Sequence, residues 1–95
     1  MTRNEYPVFL LSRNRYLIME NIDQFVMEKI EELTFTSVNK TDLLWTDKIL
    51  DSITIVELAV AIELEYKIKI PNNEITIDHF DTVDSIVQYI LSKQS

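Results

Sequence analysis

The sequence predicts an all-α domain, and three observations carry that prediction. None of its 95 residues is glycine. Tight turns with positive φ draw on glycine, so its absence favours helices joined by ordinary loops over hairpin-rich sheets. Three stretches, 20–35, 51–66 and 82–91, repeat their apolar residues at helical spacing. Hydrophobic residues make up 46% and charged residues 26%, enough for one packed core in a chain of single-domain length.

In the first helix, Ile22, Phe25, Val26, Ile30 and Leu33 fall on one face. Glu28, Lys29, Glu31 and Glu32 take the solvent side. Asn21 or Asp23 suits its N-cap. Thr36 to Leu50 has no clean period. Its Leu43, Leu44, Trp45, Ile49 and Leu50 sit among Thr, Asn, Asp and Ser. It reads as a long loop whose apolar residues fold back onto the core, with Trp45 as an anchor. Loops of this length are usually functional.

In the second helix, Ile53, Val56, Ala59, Val60 and Leu64 combine with Ile55, Leu58 and Ile62 to cover most of the circumference. Only Glu57, Glu63 and Glu65 interrupt them. Such a helix either lies at the centre of its fold or offers apolar surface to a partner. Asp51 and Ser52 both suit the N-cap, so the helix starts at or next to Ser52.

Tyr66 to Ile77 supports two readings. Lys67-Ile68-Lys69-Ile70 and Glu74-Ile75-Thr76-Ile77 both alternate, around Pro71-Asn72-Asn73, which is a hairpin pattern. A lone hairpin is marginal, and no third strand is evident for it to join. The favoured reading is an ordered loop with Ile68, Ile70, Ile75 and Ile77 turned into a helical core. Asp78 to Phe80 forms a short helical turn. The last helix presents Val83, Ile86, Val87 and Ile90, with Asp81 or Thr82 as cap and fraying from Ser92 to Ser95.

Residues 1–19 read differently from the rest. Arg3, Arg13 and Arg15 against Glu5 leave them at +2, while the remainder carries −9 of the total −7. Their apolar patches are split by Ser12-Arg13-Asn14-Arg15. They are too short for a signal peptide core or for a span of about 20 apolar residues. The expectation is a disordered leader followed by a single domain at 20–95, in the cytoplasm by default and without membrane insertion.

Composition removes most chemistry. There is no cysteine, so disulfides, thiolate metal sites and cysteine nucleophiles are excluded. Glycine-rich phosphate loops are excluded too. The acidic balance argues against nucleic acid as a partner. His79 is the one imidazole and has no recognisable triad around it. Asp78, Asp81 and Asp84 read as a solvated acidic face. No metal site and no catalytic residue is expected.

Ser52 stands apart. A hydroxyl at the start of a long helix sits where free N–H groups and the helix dipole favour an attached phosphate. The face that follows has an apolar middle and an acidic rim. An isolated Asp-Ser pair proves little, since Asp84-Ser85-Ile86 repeats the tripeptide Asp51-Ser52-Ile53 inside the last helix. The whole stretch from Ile49 to Tyr66, ILDSITIVELAVAIELEY, followed by Pro71, is what resembles the prosthetic-group attachment region of acyl carrier proteins. Phe80-Asp81-Thr82-Val83-Asp84-Ser85-Ile86 through Tyr89-Ile90 is similar to the final helix of that family, and the resemblance covers residues 20–92.

That resemblance implies a four-helix bundle with a long first loop and a short third helix. It implies a non-enzymatic carrier whose Ser52, beside Asp51, bears 4′-phosphopantetheine taken from coenzyme A by a phosphopantetheinyl transferase. The arm would hold an acyl or aminoacyl group for loading and downstream biosynthetic enzymes. Ile53, Val56, Glu57, Val60 and Glu63 would dock those partners, with the protein itself a monomer. Ile53, Val56, Leu58, Val60, Ile68, Ile70 and Ile75 would line the core or shelter a short chain. Leu50 replaces a frequent glycine, and Thr54 and Leu64 replace acidic positions. These departures are similar to carriers of D-alanine and of specialised-metabolite pathways. The rival expectation is an acidic helical interaction module with no prosthetic group.

Overall fold

The computed structural model describes residues 14–94, with side chains from Ile22 onward. Four α-helices appear among them: α1 (Asn14–Thr34), α2 (Ser52–Tyr66), α3 (Ile77–Phe80) and α4 (Val83–Gln94). A single 3₁₀ turn, Asn72–Glu74, precedes α3. The described residues contain no strand. This is the expected all-α bundle, with a long first connection and a short third helix.

Helix α1 begins six residues before Glu20. The expected caps Asn21 and Asp23 therefore lie inside it, and the Asp23 carboxylate instead pairs with Lys40 at 2.8 Å. Most of the expected leader lies outside the described residues, while residues 14–19 belong to α1. The predicted apolar face holds. Ile22, Val26 and Ile30 are fully buried, with Phe25 and Leu33 packed at the edge of the core. Phe25 meets Tyr66 of α2 edge-on at 5.5 Å. Burial and the Glu65 charge push the Tyr66 phenol up to about 12.

The 36–51 connection folds back as expected. Val38, Leu44 and Leu50 are buried, and Trp45 and Ile49 are half-buried. Leu43 departs from the expectation and stays exposed. Backbone bonds tie the loop to the α3–α4 junction: Leu44 N–H donates to the Asp81 carbonyl at 2.6 Å, and Asp84 N–H to the Lys40 carbonyl at 3.3 Å.

The hairpin pattern is overridden, because the isoleucines have a helical core to enter. Ile70 is buried, and Ile68 and Ile75 are partly buried against the core. Ile77 is the exception and remains exposed. In α4, Val83, Ile86, Val87 and Ile90 are buried as predicted, and Tyr89 joins them. Thr82 is the cap, its Oγ1 accepting from Ser85 N–H at 3.0 Å. The helix continues to Gln94 rather than fraying from Ser92.

The fold still needs left-handed residues. Phe35, Lys48 and Lys67 have φ of 60°, 61° and 56°. A side chain with a Cβ pays about 1–2 kcal/mol in that region. Lys67 ends α2 there, a position where glycine is the usual choice. Lys67→Gly should therefore stabilise the protein by about 1 kcal/mol after its greater unfolded-state entropy is counted, whereas Lys67→Ala should not. Urea unfolding midpoints of the two variants check this.

Candidate functional site

Asp51 and Ser52 divide the start of α2 between them. Asp51 is the N-cap in extended conformation, with φ −92° and ψ −179°. Its Oδ1 accepts from Thr54 N–H and from Thr54 Oγ1, both at 2.8 Å. The Asp51 carbonyl accepts from Ile55 N–H at 2.9 Å. The Thr54 bonds hold the Asp51 carboxyl below its ordinary value, although the little desolvation present works against them. With the cap supplied by Asp51, Ser52 becomes the first helical residue and its hydroxyl takes no part in the cap. Ser52 is exposed. The sequence alone left the cap open between these two residues.

The internal control behaves differently. Ser85 is half-buried within α4, and its Oγ lies 2.9 Å from Thr82 Oγ1. The two Asp-Ser-Ile tripeptides thus present opposite situations. One hydroxyl is open at a helix start, and the other is engaged inside a helix.

A groove of about 330 Å³ opens beside Ser52, lined by Trp45, Ser52, Ile55, Val56, Asn72 and Ile75. Three elements converge on it: the long loop through Trp45, the first turns of α2, and the 3₁₀ segment. A larger groove of about 560 Å³ runs along α1 among Asp23, Met27, Glu28, Glu31 and Val38. It shares no lining residue with the first and is the more polar of the two.

Helix α2 has two apolar faces. Ile55, Leu58, Ala59 and Ile62 are buried. Ile53 at 70%, Val56 at 48%, Val60 at 47% and Leu64 at 75% are exposed. Of the candidates to line the core or shelter a chain, Leu58 and Ile70 belong to the core, Ile68 and Ile75 pack partly against it, Val56 and Ile75 line the groove, and Ile53, Val56 and Val60 are exposed. Glu57 is exposed beside them. Glu63 is half-buried, and its carboxylate accepts from Ile70 N–H at 2.7 Å. It therefore fastens the chain that leaves α2, a structural task no periodicity argument reveals.

Asp78 and Asp84 are exposed, as a solvated acidic face requires, and Asp81 alone departs from that expectation. Its Oδ1 accepts from Trp45 N–H at 3.0 Å and Thr46 N–H at 2.9 Å, and its Oδ2 accepts from Thr46 Oγ1 at 2.6 Å. Desolvation would raise the Asp81 carboxyl, but the bonds from Thr46 and Trp45 outweigh it and hold the group below its ordinary value. Asp81 thereby positions Trp45 in the wall of the groove. Sequence spacing could not find this pairing, because 36 residues separate the partners. His79 sits in the last turn of α3, its ring 4.7 Å from that of Tyr89. Among the described residues, no three His, Asp or Glu side chains gather into a metal site. No helix among them is long and apolar enough to cross a membrane.

The family described as "Phosphopantetheine attachment site" matches residues 50–90. Acyl carrier protein of Rickettsia canadensis (strain McKiel) is 36% identical over 87 residues, covering 84% of this chain and 98% of that protein. Acyl carrier protein of Rickettsia rickettsii (strain Iowa) matches to the same extent, and that of Rickettsia typhi (strain ATCC VR-144 / Wilmington) is 34% identical over the same coverage.

The carboxylates of Asp51, Asp81 and Glu74 are all depressed in the fold. Depressed acids stabilise above their unfolded values, and that contribution is lost as pH falls through the folded values. Stability should therefore hold from neutrality down to about pH 5 and drop below about pH 4. Asp81→Asn should cost about 1 kcal/mol at pH 7, the scale of weakened charge-assisted bonds discounted for solvent screening. It should also flatten the acid limb in urea melts run across that range.

Proposed function

The chain belongs to the acyl carrier protein family, and from that premise we propose that Ser52 is the residue that bears its 4′-phosphopantetheine. The protein is a carrier with a phosphopantetheine attachment domain. The observation that carries the assignment to Ser52 is the division of roles at the start of α2. Asp51 caps, and Ser52 is left exposed as the first helical residue. A phosphate on that hydroxyl meets the positive end of a 15-residue helix. The residues present fit the group, because the attachment point is open to a transferase and borders an apolar groove.

When bound, the prosthetic group supplies a thiol that holds an acyl or aminoacyl group as a thioester. The chain's own residues do the rest. Asp51 holds the helix start so that the Ser52 oxygen stays at the surface. Trp45, Ile55, Val56 and Ile75 offer apolar cover beside it. A phosphopantetheinyl transferase acts first, and acyl- or aminoacyl-loading and downstream biosynthetic enzymes follow, in a cytoplasmic pathway of fatty-acid or specialised-metabolite type. We read the protein as a carrier and not a catalyst, working as a monomer. Its flexible arm raises the effective concentration of cargo at each docked enzyme.

Ile53, Val56, Glu57 and Val60 form the docking surface in this reading. They share the outward side of α2 with Ser52, so an enzyme reaching Ser52 covers them. Glu63 lends its carboxylate to Ile70 instead, and contributes to docking through the position of that loop.

Incubation with coenzyme A and a broad-specificity transferase should add one phosphopantetheine to the peptide containing Ser52, read by intact-protein and peptide mass spectrometry. Ser52→Ala should keep the helical spectrum and gain no mass. A variant that stays active with its partners despite Ser52→Ala would instead identify an interaction module without a prosthetic group. Val60→Asp should leave helicity unchanged and lower kcat/KM for loading about tenfold, as expected for an anchor within a docking patch.

A further inference from the structure

The 3₁₀ turn Asn72–Glu74 builds one wall of the groove beside Ser52, since Asn72 and Ile75 both line it. Ile70 before the turn is buried and Ile75 after it packs partly against the core, but the three residues of the turn itself have little of their own to hold them. Asn72 and Asn73 are exposed, and no side chain caps the turn. Its backbone bonds are local: Glu74 N–H to the Pro71 carbonyl, Ile75 N–H to that of Asn72 and Thr76 N–H to that of Glu74.

Two carboxylates anchor the segment to the helices. At its start, Glu63 of α2 accepts from Ile70 N–H. At its end, Glu74 Oε1 accepts from the Tyr89 hydroxyl at 2.5 Å and from Lys93 Nζ at 2.9 Å, both on α4. Tyr89 is 5% exposed and packs against Phe80 and His79, so its hydroxyl is a fixed point. Lys93 Nζ also lies 5.6 Å from the centre of the Tyr89 ring. Glu74 stands between the lining residues Asn72 and Ile75, so its bonds to α4 add to the packing of Ile70 and Ile75 in holding the wall.

Resting on the attachment of the prosthetic group at Ser52, we propose that Glu74 is a positioning residue. Its bonds to Tyr89 and Lys93 set the width of the groove, and thereby the size of the cargo sheltered beside Ser52. Trp45, Ile55, Val56 and Ile75 make the lining mostly apolar. A cavity of about 150 Å³ accepts benzene, so a partly open groove about twice that size takes a cargo on the order of ten non-hydrogen atoms.

Trp45 is the one tryptophan in the chain and lines the groove, so its emission reports occupancy. The test loads Ser52 from a series of acyl-coenzyme A donors, butyryl to myristoyl, with loading verified by mass. In the wild type, Trp45 emission should change with chain length up to about eight to ten carbons and then level off. Glu74→Gln and Tyr89→Phe should move that ceiling to longer chains. Amide exchange at residues 72–76 should quicken about tenfold in the unloaded variants, the effect of losing one charge-assisted bond at a half-exposed site. Lys93→Met, which leaves the buried phenol intact, should shift both readouts in the same direction by less.

An unchanged ceiling in folded, fully loaded Glu74→Gln and Tyr89→Phe would overturn the proposal, and so would unchanged exchange at 72–76. A wild-type Trp45 that ignores every chain would overturn it as well. Failure of Ser52 to gain mass would strike the attachment reading itself. Exchange on the unloaded variants separates that failure from failure of the Glu74 anchor.

Discussion

The binding of the long loop by Asp81 is the constraint on which the rest of the molecule depends. The 36–51 connection has no regular structure and would otherwise leave a run of backbone groups without partners. Asp81 takes the amides of Trp45 and Thr46 and the Thr46 hydroxyl, while its own carbonyl receives Leu44 N–H. One residue at the α3–α4 junction thus fixes the point where the loop crosses the bundle. Leu44 enters the core, Trp45 reaches the groove, and Leu50 delivers the chain to Asp51 and the start of α2. The site is built by a residue about thirty positions downstream of it.

Carboxylates recur in this role. Asp51 caps α2, Glu63 holds Ile70, Glu74 meets Tyr89 and Lys93, and Asp23 pairs with Lys40. Each fastens an irregular segment to a helix or begins one. The connections between helices carry amide and ammonium groups that lie outside any helical ladder. Acidic side chains are well suited to bind those. Part of what looked like a solvated, partner-seeking acidic surface is therefore internal scaffolding. That leaves α2 with an outward face more apolar than the overall charge suggests, with Glu57 exposed on it.

Much of the fold was legible because amphipathic periodicity is a local property. Ile22, Val26 and Ile30 in α1, and Val83, Ile86, Val87 and Ile90 in α4, were readable from spacing and are buried. Helix ends were less legible. Nothing in the apolar pattern foretold that α1 begins at Asn14 or that α4 continues to Gln94. The Ile68–Ile77 stretch shows why local pattern can mislead. Alternation signals a sheet only where a sheet exists to join, and here the isoleucines had a helical core within reach.

By itself the sequence determined the all-α class, the helical faces, the serine at the head of α2 and the family that bears such a serine. These depend on residues near one another in the chain, where spacing translates directly into geometry. Tertiary structure alone decided which of Asp51 and Ser52 caps and which stays open. It decided which apolar side of α2 is buried, and that Asp81, Glu63 and Glu74 work as fasteners. Those outcomes depend on contacts between segments distant in sequence, and a carboxylate's role is set by the amide or hydroxyl that packing brings to it.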